Sequence, residues 1–202
     1  RQGPGAFPDL MAAGASAVAE FYTFKPQGSD RVAGFDTEVV QLQPRDAQRY
    51  GLRLWSEKKS GLLVKMQTLG LEGEVLEQTA FTELQLGAPA RPDRIVQAMT
   101  PPEGWRVERV DNVKTNPTAE GWTLRSPVAG FRSTGCWRRG STPGSLQWTF
   151  SDGLASVSLF IEPYDRQRHT QEGMMASGAP VTLTRRLQDH WLTAIGGVPP
   201  QT

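Results

Sequence analysis

Few residues in this 202-residue chain could carry chemistry. His169 and His190 are the only histidines and Cys136 is the only cysteine. The histidines lie outside any His-x-x-x-His spacing and a single thiol adds no ligand pair, so ligand count argues against a zinc site. Ser141-Thr142-Pro143-Gly144-Ser145 lacks the Gly-x-Ser-x-Gly spacing and the strand-to-helix context of a nucleophile elbow. No glycine-rich dinucleotide or phosphate loop is present. Two distant histidines cannot assemble a nucleophile–base pair, so the chain is expected to be no enzyme and to use no cofactor. Two arginine pairs remain, Arg138-Arg139 and Arg185-Arg186. Their guanidinium forks suit carboxylates or phosphates, which would make a surface for an acidic partner or a lipid headgroup. Solvated sheet rims are the plainer reading of the same residues.

Composition bounds the rest. Lys plus Arg (22) nearly cancel Asp plus Glu (21), so bulk charge points neither to nucleic acid nor to an acidic tail. Gly (21) and Pro (15) suit many short strands and turns better than a helical bundle. One cysteine forbids an internal disulfide without fixing the redox compartment. No apolar run approaches the ~20 residues of a membrane-spanning helix. Residues 10–19 are mostly Ala and Gly behind a poor basic region, which argues for a short helix leading into Phe21 rather than a secretory leader. The Arg1 start suggests a fragment.

The elements that position these residues are expected to be antiparallel strands. Leu146–Ile161 is the organising hairpin, because Asp152-Gly153 between alternating runs favours a type I′ turn. That turn would set Phe150 opposite Ala155, Trp148 opposite Val157 and Leu146 opposite Leu159. Upstream, Thr37 to Leu86 reads as a four-stranded meander whose last strand, Glu74–Leu86, is long. Leu52, Leu54, Leu62, Val64, Met66, Leu76 and Leu84 alternate along these strands, with Leu62, Val64 and Met66 on one face. Asp93–Met99 is expected as a helix with Ile95, Val96 and Met99 inward. Downstream strands are expected at 121–124, 130–138, 181–186 and 191–198, with a loop or weak helix over 165–176. Trp55, Trp122, Trp137, Trp148 and Trp191 fall in these strands and are assigned to core or cavity lining. Cys136 is assigned as a small strand residue. Proline breaks from Pro89 to Pro117 divide the chain into 1–88, a linker with a short helix at 89–117, and 118–202.

Two sets of residues resemble a known family. Gly28–Gly34, Pro44-Arg45-Asp46, Arg49-Tyr50, Leu54-Trp55 and Gly73–Gln78 look like the later strands of the large domain of RseB/MucB proteins. Phe150-Ser151-Asp152-Gly153-Leu154 and the closing Gly197–Thr202 look like their small domain. The resemblance implies a mainly antiparallel β (α+β) architecture, part of a LolA-like curved sheet followed by a smaller antiparallel-sheet domain. It implies a periplasmic regulator that binds an RseA/MucA-type anti-sigma factor and shields it from site-1 proteolysis. It also implies a response to lipid or lipopolysaccharide; a LolA/LolB-type lipid or lipoprotein carrier is the alternative. The family's large domain has an earlier half that this chain lacks, and its members continue into a final helix beyond the residue matching Thr202. On this reading Leu52, Leu54, Leu62, Val64, Met66, Leu76 and Leu84 are candidates to meet acyl chains, with packing against a helix as the equal alternative. Arg138, Arg139, Arg185 and Arg186 are candidates to contact the anti-sigma factor. Oligomeric assembly stays open, and nucleic acid is not an expected partner.

Overall fold

Alternating side chains with tight turns between them favour strands that pair with their sequence neighbours. The computed structural model describes residues 15–87, 89, 92–102, 104–105 and 111–202. Helix α1 (Ala15–Phe21) runs directly into β1 (Tyr22–Val32), followed by β2 (Phe35–Pro44), β3 (Gly51–Glu57), β4 (Leu63–Leu69) and β5 (Val75–Ala80). These form one five-stranded antiparallel sheet in sequence order. The sheet has one strand more than the meander expected from Thr37, because Pro26 and Gly28 hide β1. Both sit at a register shift in an edge strand, where proline and glycine are tolerated. The long strand expected over 74–86 stops at Ala80; the Phe81 N–H still donates to the Val64 carbonyl at 3.0 Å, and the chain bends at 82–83.

Both faces of this sheet carry apolar side chains. On one, Val18 of α1 packs with Tyr22, Leu42, Leu52 and Leu54, flanked by Phe21, Val40, Leu63 and Met66. On the other, Val32, Val39, Trp55 and Val64 cluster with Ala33 and Leu84. The Trp55 indole donates to Asp30 Oδ2 at 2.9 Å, and the Lys65 ammonium lies 4.3 Å from its ring centroid. Leu62, Val64 and Met66 do not share a face, contrary to the alternation. A bulge sets Val64 and Lys65 together opposite Trp55, which turns Val64 to the Trp55 side.

Helix α2 (Pro92–Met99) forms where proline breaks and amphipathic spacing place it. Val96 and Met99 are exposed rather than inward, because neither joins a core cluster; the Ile95 side chain is outside the described residues.

The second sheet comprises β6 (Val113–Thr115), β7 (Arg132–Arg138), β8 (Leu146–Ser151), β9 (Ser156–Pro163), β10 (Gly173–Ala176), β11 (Val181–Leu187) and β12 (His190–Gly196). Its order is β10-β11-β12-β9-β8-β7-β6, antiparallel throughout. Residues 121–124 are not a strand: the 3-10 turn at Thr118–Glu120 diverts the chain, and the ladder instead takes Val113–Thr115 as its edge. Trp122 packs edge-on against His190, 5.0 Å between centroids. The stretch expected as loop or weak helix ends in strand β10.

The hairpin forms with a shifted register. Phe150 pairs with Val157, Trp148 with Leu159 and Leu146 with Ile161. The loop is two residues longer at its closing end than a type I′ turn would make it. The reason is Asp152: its Oδ1 accepts the amides of Leu154 and Ala155, at 2.9 and 2.8 Å, which holds 152–155 as the reversal. A shift of two leaves every side chain on its expected face.

Candidate functional site

The hairpin tip is where the two sheets meet. Asp152 uses Oδ1 to cap its own turn and Oδ2 to reach the first sheet. Oδ2 accepts the Tyr22 hydroxyl at 3.0 Å and lies 3.0 Å from Arg49 Nε, an ion pair whose N–H is not aligned as a hydrogen bond. Arg49 is fully buried and forks outward: Nη1 donates to Asp46 Oδ2 at 2.6 Å, and Nη2 donates to the Ala129 carbonyl of the second unit. Its guanidinium carbon stacks 4.2 Å from the Phe21 ring centroid and 5.2 Å from that of Phe131. Tyr22 is itself 1% exposed. Burial, and then the neighbouring Asp152 carboxylate, push its phenol well above the ordinary tyrosine range.

Apolar and backbone contacts frame this polar centre. Leu154, beside the tip, packs on the Val18–Leu54 cluster of the first sheet. At the chain's end, Gln201 Nε2 donates to the Ala47 carbonyl at 2.7 Å and Thr202 Oγ1 to that of Gln48 at 2.9 Å. The loop carrying Asp46 and Arg49, the hairpin tip and the closing residues are stretches that carry the family resemblance. They converge on one joint. Sequence reading singles out all three segments but misses their pairing, since Tyr22 and Asp152 lie 130 residues apart.

Against the second sheet lies a cavity of about 240 Å³. Phe150, Val157, Leu159, Leu183 and Ala194 form its floor, and Leu124, Val128, Phe131 and Val198–Pro200 its walls. Ser126 and Thr202 are the only hydroxyls in the lining, and no charged side chain enters it. Such a cavity takes apolar groups rather than ions. Phe131 and Thr202 belong to both cavity and joint.

The residues proposed from sequence scatter by comparison. Leu52 and Leu54 are buried in the cluster that α1 covers, with Met66 half-buried beside them. Val64, with no exposed surface, and Leu84 belong to the opposite face. Leu62 is exposed in the turn before β4, and Leu76 is half-buried on β5. The seven do not form one wall. Among the arginines, Arg138 pairs with Glu120 at 2.7 Å, Arg139 lies over Phe160 and Arg186 over Tyr164. Arg185 is exposed. Register places Arg138 and Arg185 on one cross-sheet row through Leu146, Ile161 and Leu192. The two basic pairs are four strand spacings apart, ~19 Å.

The histidines serve packing. His169 Nδ1 accepts the Asp165 amide at 2.9 Å, and its ring stacks on Trp191 at 5.0 Å. Cys136 is 2% exposed, and burial raises its thiol. Among the described residues no three His, Cys, Asp or Glu side chains gather as a metal site.

Residues 1–99 match the model of the MucB/RseB N-terminal domain, and 116–202 that of the MucB/RseB C-terminal domain. The sigma factor AlgU regulatory protein MucB of Pseudomonas aeruginosa is 32% identical over 191 residues, covering 91% of this chain and 58% of that protein. The sigma-E factor regulatory protein RseB of Escherichia coli K12 is 25% identical over 203 residues, 96% of this chain and 61% of that protein. The chain thus spans about three fifths of these curated relatives' length. Among solved structures, the P. aeruginosa MucA/MucB complex matches with a TM-score of 0.70 and 27% identity, covering 96% of this chain and 65% of that one. MucB in complex with MucA(peri) matches with a TM-score of 0.69 and 28% identity, covering 96% and 70%. Two successive domain models of one family, met in order on two successive antiparallel sheets, show that the chain belongs to the MucB/RseB family.

Proposed function

We propose that this chain is the partner-binding portion of a non-enzymatic periplasmic regulator. It binds the periplasmic segment of a MucA/RseA-type anti-sigma factor and shields that segment from site-1 proteolysis. The observation that carries the reading is the fit of 96% of the chain to a relative solved with MucA(peri). The physics of the surface supports it. An extended segment is captured by strand addition or in a groove between units. Among the described residues β6 and β10 are the edge strands of the second sheet, and the two sheets meet through loops at the hairpin tip. Exposed Arg138 and Arg185 offer charge-assisted contacts to carboxylates on the segment.

The lipid response belongs to the same proposal. Apolar groups can enter the 240 Å³ cavity or meet exposed Leu62, whereas Leu52, Leu54 and Val64 can meet an acyl chain only if the packing over them opens. The domain boundaries at 88 and 118 are likewise proposed, and proteolysis is expected to cut first between them.

The test is protection. A synthetic periplasmic segment of a MucA-type protein is incubated with a site-1 protease, with and without saturating chain, and then with added lipopolysaccharide. Cleavage is expected to slow at least tenfold with the chain and to recover with the lipid. An unchanged cleavage rate at saturating chain would overturn the shielding, and protection indifferent to lipid would overturn the lipid response.

A further inference from the structure

We infer that Arg49, Asp152 and Tyr22 act as an orientation lock, fixing the angle between the two sheets. The two sheets share no strand, so among the described residues loops, the hairpin tip and the closing residues hold them in register. At that loop contact lies the most deeply buried ion pair of the described residues. Arg49 and Asp152 have no exposed side-chain surface, and Tyr22 closes the third side. A buried ion pair adds little stability over an apolar filling of the same volume, but pulling its partners apart leaves an uncompensated buried charge. Arg49 must satisfy Asp152, Asp46 and the Ala129 carbonyl at once, and a rotation of one sheet against the other breaks at least one of these.

The lock also touches the cavity. Phe131, whose ring centroid lies 5.2 Å from the Arg49 guanidinium carbon, also lines the cavity, as does Thr202, which donates to the Gln48 carbonyl. Opening the lock therefore loosens a cavity wall.

Asp152→Asn separates the two duties of this residue. The amide oxygen still accepts the Leu154 and Ala155 amides, so the turn survives, but the amide nitrogen faces the Arg49 donors. Arg49→Lys keeps the charge and loses the three-way fork, and Tyr22→Phe removes one bond and leaves the ion pair. Spin labels at Lys58→Cys and Gln188→Cys, exposed positions on different sheets, report the angle; buried Cys136 stays unlabelled. The whole chain is expected to give one narrow distance distribution. Asp152→Asn and Arg49→Lys are expected to broaden it at least twofold with far-ultraviolet circular dichroism unchanged, and Tyr22→Phe less. Anilinonaphthalene sulfonate fluorescence is expected to rise in the same order as the cavity wall loosens. A distribution of unchanged width in folded Asp152→Asn and Arg49→Lys would overturn the lock. The consequence for partner affinity, an expected tenfold loss for Asp152→Asn, rests on the proposed function. If the unmodified chain binds no MucA-type segment that reading fails, while the distance measurement still decides the lock.

Discussion

Gly130→Ala puts a magnitude on the joint from its outer side. Gly130 sits at φ +84, in the left-handed region, next to the Ala129 carbonyl that Arg49 engages. A β-carbon there would lie 2.5 Å from Arg49 Nη2 and 2.6 and 2.8 Å from Phe21 ring carbons. The conformation alone costs an alanine about 1–2 kcal/mol. Overpacking against a group that cannot move adds about 1–3 kcal/mol, and Arg49 is held by Asp46, Asp152 and Ala129. Gly34 supplies the control. It has φ +86, and a β-carbon added there would meet nothing within 4 Å, so Gly34→Ala carries the conformational cost without the clash. Urea unfolding followed by tryptophan fluorescence should therefore show Gly130→Ala less stable than Gly34→Ala by about 1–3 kcal/mol, a midpoint lower by about 1 M at m of about 2 kcal/mol/M. Arg49→Met, which removes the group that is struck, should shrink this excess. Equal losses in the two glycine variants, within about 0.5 kcal/mol, would refute the claim that Gly130 is held against a rigid joint.

Other outcomes follow from single residues. Ala33 occupies φ +48 beside Gly34 in the β1–β2 turn, so Ala33→Asn should raise stability by about 0.5–1 kcal/mol, read as a higher urea midpoint. Leu42 is 2% exposed, and Leu42→Ala should cost about 2–5 kcal/mol in the same assay. The Ser60 hydroxyl, with the Lys59 and Ser60 amides, holds the Glu57 carboxyl below its usual range. Its contribution is present above the ordinary titration range and lost as pH falls through the folded value, so Glu57→Gln should flatten the stability curve below about pH 4.5. Charge reversal at Arg185 and Arg186 should slow association with a MucA-type segment more than it speeds dissociation, and association should weaken with salt; salt-independent association unchanged by reversal would leave both as solvated rim residues.

The local features of this fold are legible in sequence because they are encoded in short-range spacing. Alternation indicates the antiparallel class, the Asp152–Gly153 signal indicates the hairpin, and the parity of its ladder survives a register error of two. What escapes depends on partners far away in sequence. Asp152 reads as a turn residue alone, yet Tyr22 and Arg49 also engage its carboxylate, and its capping of two amides selects the longer loop. Period alone puts Val64 on the Met66 side, but one bulge opposite Trp55 moves it across the sheet. Single insertions of this kind defeat any pattern argument with a period of two. The arginine pairs show the converse. Their charge is plain in sequence, while Glu120 beside Arg138 and the Tyr164 ring beneath Arg186 are matters of packing. The side chain that organises the joint is instead Arg49, one of two arginines in the turn between β2 and β3. Apart from the family resemblance, its local signal is Asp46 three residues earlier, a spacing that reads as an exposed surface pair until the second sheet closes over it. A charge in a turn becomes informative when the residues around it carry a family resemblance without an obvious local role.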